Sequence, residues 1–248
     1  MMRPFITLIL VLLLSSQSYG QQIVIDDSAQ IDDTEIPFLL YPSKSPGKTI
    51  IWFEPHYGEF TSQPVAAALA QQGITVYQPN WFETFFLPRS YSSPAMMDGK
   101  LIAAFIQYVK QKETGPVYLL GASRGTVAAL NGIATDNSNI NGLIALNPSI
   151  YLRKPEPMQP IEFVPAASKC PVSIMILQPK QSTRIWWMDE VESILRSGGA
   201  TVRSQFISDV RDGFWQRPDL TDDEISRKKR FHLDIMAAID TLETLDEK

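Results

Sequence analysis

The chain has 248 residues, a formal net charge of −5 and an isoelectric point near 5.1, which argues against nucleic acid or an anionic membrane surface as a partner. Hydrophobic residues make up 44% of the chain, enough for the core of one domain. The single cysteine, Cys170, excludes an internal disulfide, and we expect it to be an inert buried thiol. With two histidines and one cysteine, we expect no zinc or other metal site.

Residues 1–20 resemble a secretory signal peptide. Arg3 supplies the positive amino-terminal region, and Phe5 to Leu14 form an apolar core too short to span a bilayer. We expect cleavage after Gly20, which leaves a mature domain at 21–248 without an integral membrane segment. Loss of Arg3 would change the net charge from −5 to −6. The signal predicts a periplasmic or secreted protein; the alternative is an N-terminal membrane anchor.

Apolar and periodic runs alternate along the rest of the chain. The predicted strands are a short one at Ile23–Ile25, then 36–42, 49–53, 74–77, one from Val117 to the turn at Gly121, 143–146, 172–177 and 200–207. The predicted helices are 61–72, 95–112, one after residue 125, 185–197 and one from Thr221 to about Leu245. Residues 80–94 and 148–171 are predicted as connections, too short for a large lid domain. This alternation predicts an α/β fold with a mostly parallel, doubly wound sheet and helices on both faces.

The start of the last helix carries charged residues. Thr221 and Glu224 have the spacing of a capping box. Asp223 and Glu224 lie one turn before the basic run Arg227–Arg230, so we expect them to pair with its first two residues. The run therefore indicates a solvated helix face rather than a nucleic-acid site.

The most informative stretch is the turn Gly121-Ala122-Ser123-Arg124-Gly125, which follows an apolar strand and precedes a helix. A tight turn with glycines on both sides exposes the serine hydroxyl above the carboxyl edge of a parallel sheet. The amino terminus of the following helix supplies N–H groups that stabilise a negative oxygen. Ser123 is thus the candidate nucleophile.

This Gly-x-Ser-x-Gly turn resembles the nucleophile elbow of the α/β-hydrolase superfamily, and the order of the predicted elements is similar to that fold from its second strand to its last helix. The resemblance implies acyl-ester hydrolysis by Ser123 without a cofactor. It also implies an oxyanion hole formed by the backbone N–H groups of Arg124 and of either Tyr57 or Gly58. His56-Tyr57-Gly58 is similar to the His-Gly oxyanion loop of the superfamily.

The general base and its acid partner depart from the pattern of the superfamily. Where relatives such as dienelactone-hydrolase-like enzymes have His-Gly-Phe after the last strand, this chain has Asp212-Gly213-Phe214. The usual acid position, after the next-to-last strand, offers no carboxylate before Asp189. The alternative acid position, one strand earlier, offers Asn147 and then Glu156.

Two candidates for the base remain open. His56 precedes the oxyanion loop and would be oriented by Glu54 or Glu59; the alternative is a structural loop histidine. Asp212 could act as the base if burial raised its pKa. His232 lies about three turns into the final helix, and we expect it to be a half-buried packing residue.

An aromatic segment follows the strand at 74–77. Its rings either wall an apolar acyl pocket or cover the sheet, and the sequence does not decide between these roles. The rings belong to Trp81, Phe82, Phe85, Phe86 and Tyr91.

Three functional hypotheses follow. The first is a secreted serine esterase that acts on a small ester-like substrate, with Ser123 and either His56 or Asp212. The second is a catalytically inactive binding or scaffold protein of the cell envelope, because the usual base and acid are missing. The third is an enzyme completed by a residue from a partner chain. The protein partner, the substrate and the oligomeric state are not indicated by the sequence.

Overall fold

The computed structural model describes residues 23–45, 47–57, 62–156 and 158–246. The predicted signal at 1–20 lies outside these ranges, as do Gly58 and Glu59. The strands are β1 (Ile25–Ile31), β2 (Thr34–Tyr41), β3 (Lys48–Phe53), β4 (Ile74–Pro79), β5 (Val117–Ala122), β6 (Leu143–Leu146), β7 (Ser173–Pro179) and β8 (Thr201–Ile207). The helices are α1 (Gln63–Gln71), α2 (Trp81–Thr84), α3 (Gly99–Lys112), α4 (Gly125–Thr135), α5 (Met188–Ser197) and α6 (Asp222–Asp246). Within these ranges, no helix is long and apolar enough to cross a membrane.

The strands form one sheet in the order β1-β2-β4-β3-β5-β6-β7-β8. Strands β3 to β8 are parallel, and β2 joins them antiparallel through β4. The chain leaves β3 for β4 on one side and later returns to β5 on the other, so a crevice opens at their carboxyl ends. Phe53 of β3 lies opposite Gly121 of β5 at this point. The predicted doubly wound sheet is confirmed.

The central strand β3 shows why helices cover both faces of the sheet. Ile50 and Trp52 pack into a core with α1 and α6, whereas Ile51 and Phe53 pack into a core with α3, α4 and α5. All four side chains are fully buried. Because alternate residues of a strand face opposite sides, a continuous apolar run requires both sides to be covered. Each such side chain contributes about 1.5–3 kcal/mol through burial.

The predicted bounds of the strand at Ile23–Ile25 were wrong. Strand β1 begins at Ile25 and continues to Ile31 through a polar sequence. β1 pairs with β2 along its whole length, and Asp32 and Asp33 form the two-residue turn between them. Asp32 has a φ of +49°, which aspartate tolerates better than most residues. Most side chains of β1 remain exposed because it is the edge strand. Hairpin pairing therefore overrides the weak hydrophobic pattern.

The region before α3 also differs from the prediction. Residues 80–94 contain the short helix α2, and a 3₁₀ turn covers Ser93–Met96. The following α-helix begins at Gly99 rather than at residue 95, because the Asp98 carboxylate accepts a hydrogen bond from the Lys100 amide at 2.9 Å and caps it there. Residues 148–171 are a connection as predicted, with one bridge between Tyr151 and Phe163.

The predicted capping box of α6 is confirmed by reciprocal hydrogen bonds between Thr221 and Glu224 at 3.0 and 3.3 Å. The predicted pairing of Glu224 with the basic run was wrong. Glu224 binds Arg211 at 2.6 Å, and the Arg211 guanidinium holds the pKa of this carboxyl at about 2. Arg227 instead pairs with Asp234 at 2.6 Å. The ion pair between Arg211 and Glu224 therefore holds the segment after β8 against α6.

The start of α4 lies against the neighbouring strands with no room for side chains. A Cβ on Gly125 would lie 2.2 Å from the carbonyl oxygen of Phe53, and a Cβ on Gly121 would lie 2.5 Å from the Cα of Thr126. In both cases the obstructing atom belongs to the backbone, so it cannot move aside as a flexible side chain can. These two glycines are therefore required by close approach of the backbone.

We predict that Gly125→Ala destabilises the protein by about 3 kcal/mol, because the methyl group forces α4 away from β3. The midpoint of urea unfolding, at an unchanged slope, measures this loss. Gly73→Asn is the control for backbone strain without crowding, since an added Cβ at Gly73 meets nothing within 4 Å. Its φ of +88° strains any side chain, so we expect a smaller loss of about 1 kcal/mol. Equal stability of Gly125→Ala and the wild type would contradict the packing argument.

Candidate active site

Ser123 lies at the tip of the turn between β5 and α4. Its φ is +52°, a left-handed conformation that costs a non-glycine residue about 1 kcal/mol. The Ser123 amide donates to the carbonyl of Leu146 at 2.9 Å, and its carbonyl accepts from the Ser149 amide at 3.2 Å. The surrounding backbone thus holds the serine in this conformation. Its position at the head of the 11-residue helix α4 is the one predicted.

The hydroxyl of Ser123 is buried and has no hydrogen-bond partner in the described part of the chain. The Tyr57 phenol lies beside it, without the geometry of a full hydrogen bond. This contact opposes the net rise in the pKa of Tyr57 that is described below. Tyr57 is itself 37% exposed and lines an open cleft. Tyr57 therefore lies between the candidate nucleophile and solvent.

Tyr57 also brings together groups that are distant in sequence. Burial raises the pKa of its phenol, and the Asp212 carboxylate raises it further. The Arg184 guanidinium and contacts with Ser123 and Gln216 act in the opposite direction. The predicted nucleophile and Asp212 thus both lie near one phenol.

His56 follows β3 in the same loop and lines the same cleft. Its ring meets those of Tyr57 and Tyr91 edge-on, at centroid distances of 4.9 and 5.9 Å. Burial lowers the pKa of His56 to about 4, with further lowering by Arg124, Arg184 and Lys154. The imidazole is therefore neutral at pH 7. Its Nδ1 atom is buried without a hydrogen-bond partner.

Glu54 does not orient the His56 ring through Nδ1, contrary to one sequence-based expectation. Its carboxylate accepts hydrogen bonds from the Ser62 hydroxyl and the Gln78 amide, both at 3.2 Å. Burial raises the pKa of Glu54 to about 7. The other predicted orienting residue, Glu59, lies outside the described residues.

Asp212 follows β8 and belongs to a polar network at the carboxyl edge of the sheet. The Asn147 side-chain amide donates to its carboxylate, and Arg184 lies 3.4 Å from it. The Asn147 side-chain oxygen accepts from Gln178 at 3.0 Å and from Ser182 at 3.1 Å. The position of the usual base thus holds a carboxylate that donors from two neighbouring strand ends fix in place.

Arg184 is a site residue that the sequence analysis missed. It lies in the 3₁₀ turn Thr183–Trp187 after β7, near the place where an acid was sought. Besides approaching Asp212, it donates to the Asn147 carbonyl at 3.0 Å. Arg184 is not a carboxylate, so the expectation of an acid at this place does not point to it. Asp212 at the position of the expected histidine does point to it, because a partly buried carboxylate there needs a cation nearby.

The remaining candidates for a triad lie outside this network. Glu156 is exposed and accepts from Gln159 at 2.7 Å, and Asp189 is exposed in the first turn of α5. His232 is half-buried on α6, as expected. Cys170 is fully buried, and burial raises the pKa of its thiol to about 12, so it is the inert thiol expected.

The aromatic segment mainly covers the sheet, and whether it walls an acyl pocket stays a prediction. Trp81 stacks on Phe53 at 5.8 Å and meets Phe105 edge-on, so it covers the sheet. Phe86 is almost fully exposed and does neither. Tyr91 lines the cleft next to His56. Only the end of this segment therefore reaches the candidate site.

The cleft lined by His56 and Tyr57 has a volume of about 410 Å³, which suits a small organic molecule, and Ser123 is not among its lining residues. Its lining residues come from five separate loops at the carboxyl edge of the sheet. They are His56, Tyr57, Tyr91, Ser149, Tyr151, Lys154, Pro155, Thr183, Arg184, Trp187 and Asp212. In the part of the chain that the structure describes, no three histidine, cysteine, aspartate or glutamate side chains are grouped so as to hold a metal ion.

No protein-family model matches the chain, and no curated protein matches it in sequence. Solved structures are similar to it. The esterase Est22 has a TM-score of 0.63 at 12% identity, over 89% of this chain and 80% of that one. A carboxyl esterase from Bacillus coagulans has a TM-score of 0.61 at 12% identity, over 88% and 100%. An esterase from Pyrobaculum calidifontis has a TM-score of 0.60 at 12% identity, over 89% and 85%. Together with the sheet order and the elbow, these similarities show that the chain has the α/β-hydrolase fold.

Proposed function

We propose that this protein is a serine-dependent hydrolase of carboxylic esters, with Ser123 as its nucleophile. The observation that carries the proposal is the left-handed backbone of Ser123 at the tip of the strand–helix turn. Such a conformation persists only where surrounding contacts enforce it, and it is concentrated at functional sites. Backbone hydrogen bonds with Leu146 and Ser149 supply those contacts here.

We assign the role of general base to His56 rather than to Asp212. The imidazole is neutral at pH 7, so it can accept a proton. It must first move within hydrogen-bond distance of the Ser123 hydroxyl, which has no partner in the described part of the chain. The Asp212 carboxylate, in contrast, already accepts from Asn147 and lies against Arg184. Asp212 then holds the edge of the site in place and raises the pKa of the Tyr57 phenol.

In the proposed reaction, the Ser123 oxygen attacks the acyl carbon while its proton passes to His56. The negative oxygen that forms is stabilised by the backbone N–H groups of Arg124 and of Tyr57 or Gly58. The imidazolium returns the proton to the departing alcohol, which leaves an acyl-serine. Water then attacks this ester with the same proton transfers, and the carboxylic acid departs.

Two features of the site predict slow turnover. Neither Glu54 nor Asp212 holds the His56 ring through Nδ1, so the base lacks the acid partner that orients it in a triad. The Tyr57 phenol also lies beside the buried serine hydroxyl and must turn aside before an acyl group can reach it.

We also propose a periplasmic or secreted location, because the amino-terminal leader resembles a signal peptide. The amino-terminal sequence of the mature protein tests this location.

We predict that a fluorophosphonate probe labels the wild-type protein and that Ser123→Ala abolishes the labelling, because the probe captures an activated serine. Labelled protein in a gel and the mass of the intact adduct provide the measurement. Ser149→Ala is the matched control, since Ser149 is buried beside the same cleft and should not react. Equal labelling of wild type and Ser123→Ala would reject the catalytic proposal in favour of an inactive binding or scaffold protein.

We predict that ester hydrolysis depends on neutral His56 and therefore falls as the pH drops through about 4, the pKa of this group. The sign follows from the lowered pKa: the imidazole stays neutral and basic above that value and becomes protonated below it. The profile of kcat/KM against pH measures this limb. An acid limb near the ordinary histidine value of about 6.5 would contradict the assignment.

His56→Gln should lower kcat by about 100-fold or more, the usual contribution of a general base. His232→Gln is the control, because it removes the second histidine of the chain at a half-buried position on α6. If the two variants lose the same activity, His56 has no special role.

A further inference from the structure

Several buried polar atoms of the described residues lack a hydrogen-bond partner, and some of them lie in or next to the cleft. These are Ser123 Oγ, His56 Nδ1, Arg124 Nη2 and the Tyr151 hydroxyl. Arg124 is fully buried and Tyr151 is 1% exposed. A buried donor without a partner costs about 1–3 kcal/mol. Because Tyr151 belongs to the lining of the cleft, a ligand bound there can satisfy its hydroxyl.

Arg124 is the most unusual of these groups. Its guanidinium donates to the carbonyl oxygens of Tyr91 and Ser149, both at 2.9 Å, and to that of Tyr151 at 2.5 Å. It also lies over the Tyr91 ring, at 4.1 Å from the centroid. No ion pair joins it to a carboxylate of the described residues. The fold thus buries a cation, held by three residues of the cleft wall, without a counter-charge.

Two cations line the cleft, Lys154 and Arg184, and Arg124 lies buried behind its wall. Asp212 is the one carboxylate among the described lining residues, and it is already bound by Asn147 and Arg184. The positive charges of Arg124 and Lys154 therefore remain unbalanced at this site. The whole chain has a formal net charge of −5, so this positive cleft is opposite in sign to the protein.

We infer that the cleft binds an ester that carries a carboxylate, with that carboxylate placed between Lys154 and the hydroxyl of Tyr151, in front of the buried Arg124 guanidinium. The term ester rests on the function proposed above; the carboxylate subsite rests on these cations and on the Tyr151 donor. The Arg184 guanidinium also lines the cleft and fits the geometry of a carboxylate, and Tyr57 and Trp187 offer apolar surface for the rest of the molecule. A doubly charged phosphate is disfavoured because Asp212 lines the same wall.

The test uses Ser123→Ala and measures binding alone, so its outcome does not depend on catalysis. The probes are N-phenylsuccinamic acid and its neutral isostere, in which an isopropyl group replaces the carboxylate. We expect calorimetry to show about tenfold or more tighter binding of the acid, because charge-assisted hydrogen bonds replace water at the buried donors. We also expect its affinity to fall as salt is added. Equal affinities, or no binding of either probe, would overturn the inference.

Lys154→Gln, introduced into the same Ser123→Ala background, locates the subsite. It should weaken binding of the acid about threefold, the effect of an exposed charge, and leave the isostere unaffected. Lys169→Gln is the matched control, since Lys169 is an exposed lysine of the same connection, away from the cleft. Equal weakening by both substitutions would show a general charge effect and reject the site. If Ser123→Ala fails to label but binds the acid selectively, the subsite and the catalytic proposal are both supported.

Discussion

The backbone of α4 approaches β3 more closely than any residue other than glycine allows, and the candidate site depends on this contact. The carbonyl oxygen of Phe53 occupies the place where a side chain at position 125 would begin. This contact sets the start of the helix at the crevice between β3 and β5. The serine that joins strand to helix must then adopt a left-handed conformation. Strain at Ser123 and tight packing at Gly125 are consequences of the same geometry.

The carboxyl edge of the sheet holds an ordered polar network around Asp212. This residue stands where the superfamily pattern predicts a histidine, and Arg184 and Asn147 approach it from the ends of the two preceding strands. A partly buried carboxylate at that edge needs donors, because burying it without them would be costly. The network keeps the loop after β8 in place, and the Arg211–Glu224 pair fixes the same segment to α6. Asp212 is thus an ordered feature of the structure.

The sequence predicted those features that depend on neighbouring residues. The elbow occupies five consecutive positions, so its geometry could be inferred locally, as could the capping box at Thr221. The parallel, doubly wound sheet followed from the alternation of elements. The role of the Arg124 side chain could not be inferred, because it contacts the Tyr91 carbonyl 33 residues away. Likewise, Asn147 and Asp212 meet across 65 residues. Glu54 was mistaken for a partner of His56 because its contact with Gln78 comes from a different strand.

The charges around the site connect the proposed base to the proposed substrate. Arg124, Arg184 and Lys154 all lower the pKa of His56, so they weaken it as a base in the free enzyme. A carboxylate bound among these cations would offset their field and raise the basicity of His56. Substrate binding would then activate the base, a role that an orienting carboxylate has in a complete triad. On this hypothesis the acid limb of kcat lies at higher pH than that of kcat/KM for an anionic ester, because kcat reports the bound enzyme. Coincident limbs would show that the carboxylate does not act on His56, whatever its contribution to affinity.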